Sequence, residues 1–221
     1  MTDTLIYKLA FASVRGINPR LATELLRMLG SEQAFFEASE TQLHYITQSK
    51  AKIYNLDYRQ QLLEKAAAES TFIASNHIRP LYYTDPEYPH RLADCDDAPA
   101  MLYTLGNCDM NQARILGIVG TRHASIYGIS FTERLVEELA QSIDGLVIVS
   151  GLAYGIDIAA HRAAMRCGVP TIAVLAHGLD TIYPAPHRHE AADIARRGGA
   201  LVTEYSKGTR PLAPYFLARN R

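Results

Sequence analysis

What most limits the fold of this chain is a unit that occurs twice in its middle, an apolar run that closes on a glycine loop and re-emerges as a helix. The first copy is Ile115-Leu116-Gly117-Ile118-Val119, then Gly120-Thr121-Arg122, then Ser125, Tyr127 and Gly128, with Phe131, Leu135, Val136 and Leu139 at helical spacing. The second is Leu146-Val147-Ile148-Val149, then Ser150-Gly151-Leu152-Ala153-Tyr154-Gly155, then a helix carrying Asp157, Ala160, His161 and Ala164. Parallel strands need a crossover between them, so a strand, loop and helix in succession build a parallel sheet. Loops that follow neighbouring parallel strands converge on one crevice, where helix N-termini aim free amides at a bound anion. Two such loops, one holding an arginine, predict an anion pocket.

The alternation continues to the end of the chain. A helix reaches about Cys167, a strand runs from Thr171 to Leu175, a helix from about Arg188 to Arg197 and a strand from Ala200 to Glu204, with Gly168 and Gly198-Gly199 placed as helix C-caps. The expected fold class is α/β, an extended Rossmann-like, mostly parallel, doubly wound sheet with helices on both faces. The last stretch, Lys207 to Arg221, reads as a loop because Pro211 and Pro214 interrupt it.

Residues before the sheet have another texture. From Leu5 to about Ala74 the apolar positions recur at helical spacing, as in Leu21, Leu25, Leu26 and Leu29. Gly16 suits a positive-φ turn and Pro19 the first turn of the following helix. This pattern is similar to helix-hairpin-helix modules, whose amides touch DNA phosphates, although a plain helix turn fits it equally. Ile78 to Tyr83 and Met101 to Leu105 then read as strands. The expected division is a small all-helical domain, SAM-like or helix-hairpin-helix-like, over residues 1–75 and the Rossmann-like domain over residues 76–221.

Charge and cysteine usage exclude some functions. A net charge of −1 over 221 residues argues against a general polycation, so any polyanion must be held locally. From His187 onward seven Arg or Lys face three acids, which makes that tail, with Arg188 and Lys207, either a solvated face or one wall of an anion site. Cys95, Cys108 and Cys167 form no Cys-x-x-Cys pair, and His177, His187 and His189 lack an acid or thiol to complete a metal set. No metal or cofactor is expected. No apolar stretch approaches about 20 residues and the start has no basic leader, so the expectation is a cytoplasmic protein without a membrane span.

The loops carry the chemistry. Gly120-Thr121-Arg122 is neither a dinucleotide fingerprint nor a Walker loop. It offers a small residue for close approach, a hydroxyl, and a guanidinium that either forks onto a phosphate or pairs with Glu204 across the crevice. Ser150 and Gly151, with Gly155, expose backbone amides. Asp157 and His161 lie four apart on one helical face, so Asp157 is expected to start the helix and bond His161, bracing the loop. A Ser150-His161-Asp157 triad is disfavoured because the nucleophile-elbow pattern is missing. Tyr154, Tyr183 or Phe216 beside Arg122 would suit a stacked base.

As a set, these residues resemble the DNA processing protein A (DprA/Smf) family. They are Gly120-Thr121-Arg122 with Tyr127-Gly128, Ser150 to Asp157 with Ala160-His161, Gly178-Leu179-Asp180 with Tyr183-Pro184, Glu204, and Phe216-x-x-Arg219-Asn220-Arg221. The resemblance implies a homodimeric, non-catalytic protein that binds single-stranded DNA, protects it, and loads the RecA recombinase onto incoming DNA during natural transformation. It also implies Arg122 as the main phosphate ligand, with Gly120, Thr121, Ser150 and Gly151 lining the pocket and Asn220 and Arg221 closing it. Two departures stand out. Tyr154 occupies a position where the family has a basic residue, and the family's chains continue beyond Arg-Asn-Arg, which implies a C-terminal truncation here. A different class of function stays open, a phosphoribohydrolase-like enzyme on small nucleotides with Glu204 or Asp180 as acid or base.

Overall fold

The computed structural model describes residues 3–48 and 54–220 and shows two compact units, divided between Met101 and Leu102. The first contains α1 (Asp3–Ala12), α2 (Pro19–Leu29), α3 (Glu32–Glu37), α4 (Glu40–Thr47), α5 (Leu56–Ser75), β1 (Arg79–Tyr82) and α6 (His90–Ala93). Gly16 turns the chain at φ +86° and Pro19 opens α2, as the sequence anticipates, and Asn18 Oδ1 accepts the Leu21 amide at 2.9 Å. Ser31, Ser39 and Asn55 cap α3, α4 and α5 in the same way.

Arg59, 1 % exposed, fastens these helices. Its guanidinium donates to the carbonyls of Phe35 (2.6 Å), Phe36 (2.9 Å) and Ala38 (2.8 Å), where α3 ends, and of Tyr54 (3.2 Å). Those are the acceptors a helix C-terminus leaves without partners. Burial lowers the Arg59 pKa, and the charge of Glu40 opposes that shift. Within this unit Ile78, Leu81, Tyr82 and Tyr88 are buried, and Asp85 and Asp96 pair with Lys8 and Arg20 of the helices.

The second unit holds β2 (Met101–Gly106), β3 (Arg114–Gly117), α7 (Ile126–Ser142), β4 (Leu146–Ser150), α8 (Ile156–Arg166), β5 (Thr171–Val174), α9 (Arg188–Arg196), β6 (Ala200–Thr203) and α10 (Ala213–Arg219). The strands lie in the order β2-β6-β5-β4-β3. β2 is antiparallel to β6 and the other pairings are parallel, with Ile115 beside Val147, Val149 beside Ile172 and Ala173 beside Leu201. The α/β class and the mostly parallel sheet behind a helical leader are therefore as expected.

Two details differ. From β3 to β6 the order never reverses, and right-handed crossovers that always step the same way place their helices on the same face. Core clusters confirm this sharing: α8 contributes Ala160, Ala163 and Ala164 to a cluster with Val136 of α7 and Ile148 of β4, and Ile158 to one with Ala191 and Ile194 of α9. The winding is thus single-sided over these four strands. The stretch after Lys207 also contains α10, because Pro214 sits in the first turn of that helix, where a missing N–H costs nothing. Among the described residues no helix is long and apolar enough to cross a membrane.

Candidate functional site

β3, β4, β5 and β6 are mutually parallel, so the loops after them emerge at one edge of the sheet. Gly120-Arg122, Ser150-Gly155, Asp180 to Arg188 and Lys207 all lie in those loops or at their ends. The first two are stitched together. Ile118 N–H donates to Val149 O (2.9 Å), Ser150 Oγ donates to Ile118 O (2.6 Å) and Ile156 N–H, which opens α8, donates to Thr121 O (3.2 Å). Gly155 is required at this junction. Its φ is +76°, and a Cβ there would run into the carbonyl oxygen of Thr121. Among the described residues the amides of Gly120, Thr121 and Arg122 and of Gly151 to Tyr154 have no hydrogen-bond partner; Gly120, Thr121, Arg122 and Tyr154 are exposed to an incoming anion, whereas Gly151 and Leu152 are buried.

Arg122 is exposed and its guanidinium lies 4.9 Å from the Phe216 ring centroid. Of the two fates left open by the sequence, the ion pair with Glu204 is not formed: among the described residues Arg122 pairs with no carboxylate. Phe216 in turn contacts Tyr183 (centroids 5.7 Å apart) and the Arg219 guanidinium (5.9 Å).

Arg219 was missed as a site residue. Its Nη1 donates to Gly151 O (2.8 Å) and Val174 O (2.7 Å), at the ends of β4 and β5, and its Nε donates to Asn220 Oδ1 (2.9 Å). Burial lowers its pKa, the carboxylate of Asp157 opposes that shift, and the Arg122 charge adds to it. The spacing Phe216-x-x-Arg219 would have put both side chains on one helical face, but the prolines hid the helix. Gly151 and Gly120 are small for reasons internal to the protein. A Cβ at Gly151 would strike the Arg219 guanidinium, and one at Gly120 would meet the Ile156 side chain at 2.6 Å.

Other expected residues hold different posts. The Ser150 hydroxyl, 3 % exposed, is committed to Ile118 O and joins two strand ends. His161 does not bond Asp157. Thr171 Oγ1 gives its hydrogen to Ile148 O (2.8 Å) and therefore accepts from His161 Nδ1 (2.8 Å), while the buried Nε2 has no partner among the described residues. Burial, with His187 and Arg219 adding to it, lowers the His161 pKa to about 3, so the ring is neutral. Asp157, 4 % exposed, instead faces the charge of Arg219. The correction has a steric reason, since the register sets Thr171 beside Ile148 and so under the His161 ring.

Tyr154 is exposed and stands edge-on to the buried His187 ring (4.9 Å), whose Nδ1 donates to Leu152 O (2.8 Å). That bond brings the exposed Arg188 at the start of α9 to the second loop. Asp180 Oδ1 accepts the Gly208 amide (3.0 Å), which secures the exposed Lys207 loop. His177 is bound at both ring nitrogens, to Gly178 O and the Tyr183 amide. Asn220 is exposed at the C-cap of α10, and Arg221 lies outside the described residues.

The family model for DNA recombination-mediator protein A matches residues 79–221. Protein Smf of Synechocystis sp. is 34 % identical over 227 residues, covering 97 % of this chain and 54 % of that protein. DNA processing protein DprA of Streptococcus pneumoniae is 40 % identical over 137 residues, 62 % of this chain and 47 % of the relative. The chain thus spans about half the length of the curated relatives it matches. Among solved structures, DprA from Streptococcus pneumoniae superposes with a TM-score of 0.71 at 29 % identity, covering 100 % of this chain and 73 % of that one. DNA processing protein A from Helicobacter pylori, described for its single-stranded DNA binding mode, superposes with a TM-score of 0.55 at 33 % identity over 65 % of this chain and 62 % of that one. By its matched residues and by its likeness to Smf along nearly its whole length, the chain belongs to the DprA/Smf family of DNA recombination-mediator proteins.

Proposed function

We propose that the second unit binds single-stranded DNA along the loops at the carboxyl ends of β3 to β6, and that the protein does so without catalytic turnover. The observation that carries this reading is the exposed Arg122 guanidinium beside two loops, where among the described residues neither the guanidinium has a carboxylate nor the loop amides a hydrogen-bond partner. Arg122 takes the first phosphate, the Gly120-Thr121 and Gly151 amides donate to its oxygens, and Arg188, Lys207, Asn220 and Arg221 extend the track. Tyr154 and Tyr183, exposed at the same edge, supply faces for unpaired bases. The single-stranded DNA binding of the Helicobacter pylori protein supports the choice of ligand. In the cell the protein acts in the cytoplasm as a homodimer that shields incoming DNA and loads RecA during natural transformation.

The test is a titration of fluorescent oligonucleotides. Single strands are expected to bind more tightly than duplexes and in a salt-sensitive way. Arg122→Ala is expected to weaken binding at least about tenfold, or ~1.4 kcal/mol, through loss of a charge-assisted fork. Equal affinity for the variant would refute Arg122 as a phosphate ligand.

A further inference from the structure

An exposed arginine has many rotamers, and holding its fork toward a phosphate costs entropy unless something already fixes it. Arg122 has no hydrogen bond or ion pair from its guanidinium among the described residues; what it touches is the Phe216 ring at 4.9 Å. An aromatic face attracts a guanidinium without occupying any N–H group, so all five donors remain for a ligand.

Phe216 is itself placed from behind. It lies on α10, a seven-residue helix that ends at Arg219. Arg219 is bound to the carbonyls of Gly151 and Val174 and to Asn220, with the buried Asp157 favouring its charge. Its two Nη1 donors point into the protein. A guanidinium so placed fastens α10 to the ends of β4 and β5, and Gly151 leaves the space it fills.

Resting on the single-strand reading above, we infer that Phe216 is the positioning residue for Arg122, and that Arg219 is the fastener that sets Phe216 beneath it and takes no phosphate. The division of labour is between a cation that grips and one that clamps. Both are arginines a few ångströms from the same ring, and charge counting alone would score them alike.

A double-mutant cycle in single-strand affinity separates positioning from direct contact. Phe216→Leu keeps apolar bulk on α10 and removes the ring. It is expected to weaken binding ~2- to 5-fold, the worth of an exposed cation–π contact, when Arg122 is present, and to add no further loss in the Arg122→Ala background. Phe216→Tyr is expected to restore the parent affinity. In the absence of DNA, the ring-current shift on the Arg122 side-chain protons is expected in the parent and lost in Phe216→Leu. Equal losses in both backgrounds mean that Phe216 stacks on a base itself, and they overturn the inference while the binding site stands. No loss in either background overturns it too. An Arg122→Ala variant that binds like the parent brings down the site reading first and the inference with it.

Discussion

Gly155→Ala tests the junction of the two loops. At φ +76° and ψ −119° the position lies outside every region an L-residue adopts readily, which costs roughly 1–3 kcal/mol. The new Cβ would also run into Thr121 O and approach Arg122 O at 2.8 Å and Arg122 C at 2.9 Å, all backbone atoms that cannot swing aside. Relief requires the first loop to move away from α8, breaking the Ile156 N–H bond to Thr121 O at a further cost of about 1 kcal/mol. The sum, ~2–4 kcal/mol, is a large share of the ~5–15 kcal/mol that stabilises a typical domain. The displaced loop carries Arg122, so single-strand affinity is expected to fall together with the urea midpoint. Gly128→Ala is the control: its Cβ would meet Ser125 Oγ at 3.5 Å, an ordinary contact, and a helical alanine is neutral or stabilising by up to about 1 kcal/mol. A Gly155→Ala protein with the parent's midpoint and affinity would refute the account of how the loops are joined.

Removing the Arg59 guanidinium as Arg59→Met leaves four buried carbonyls without their donor and is expected to destabilise the helical unit by ~3–5 kcal/mol, read as early exchange of α3 and α5 amides in hydrogen–deuterium exchange. Unchanged protection would remove Arg59 from its structural role. Acid is expected to weaken the second unit through His161, whose pKa is about 3 in the fold against 6.5 when exposed. The unfolded chain takes up the proton first, so this contribution is complete above about pH 6.5 and is lost as pH falls toward about 3. Glu190, whose burial raises its pKa but whose hydrogen bonds and charge pairing with Arg162 lower it on balance, acts in the same direction at the acid end. Urea midpoints from about pH 8 to pH 4 should fall in the parent and fall less in His161→Gln; parallel slopes would show that His161 is not the group responsible.

The sheet was legible because each parallel strand announces itself as a short apolar run followed by glycine, as in Ile115 to Gly120 and Leu146 to Gly151. The loop glycines were legible as exceptions to side-chain packing, but what fills the space beside them was not. Thr121 O at Gly155 and the Arg219 guanidinium at Gly151 come from distant parts of the chain. Hydrogen-bond partners chosen by register were hidden for the same reason: Ser150 finds Ile118 O and His161 finds Thr171 only once the strands are aligned. The single-sided winding follows from strand order, which local pattern does not encode. In α10 a local rule misleads, since Pro214 reads as an interruption although it sits where a helix begins.

β3 is the strand at the end of the sheet's order and shows most of its surface to solvent, which would ordinarily make the turn that follows it the least steady part of the assembly. Its carbonyl at Thr121 is instead gripped by the first amide of a helix sunk in the middle of the core. The cation at the rim therefore inherits its steadiness from the centre of the molecule.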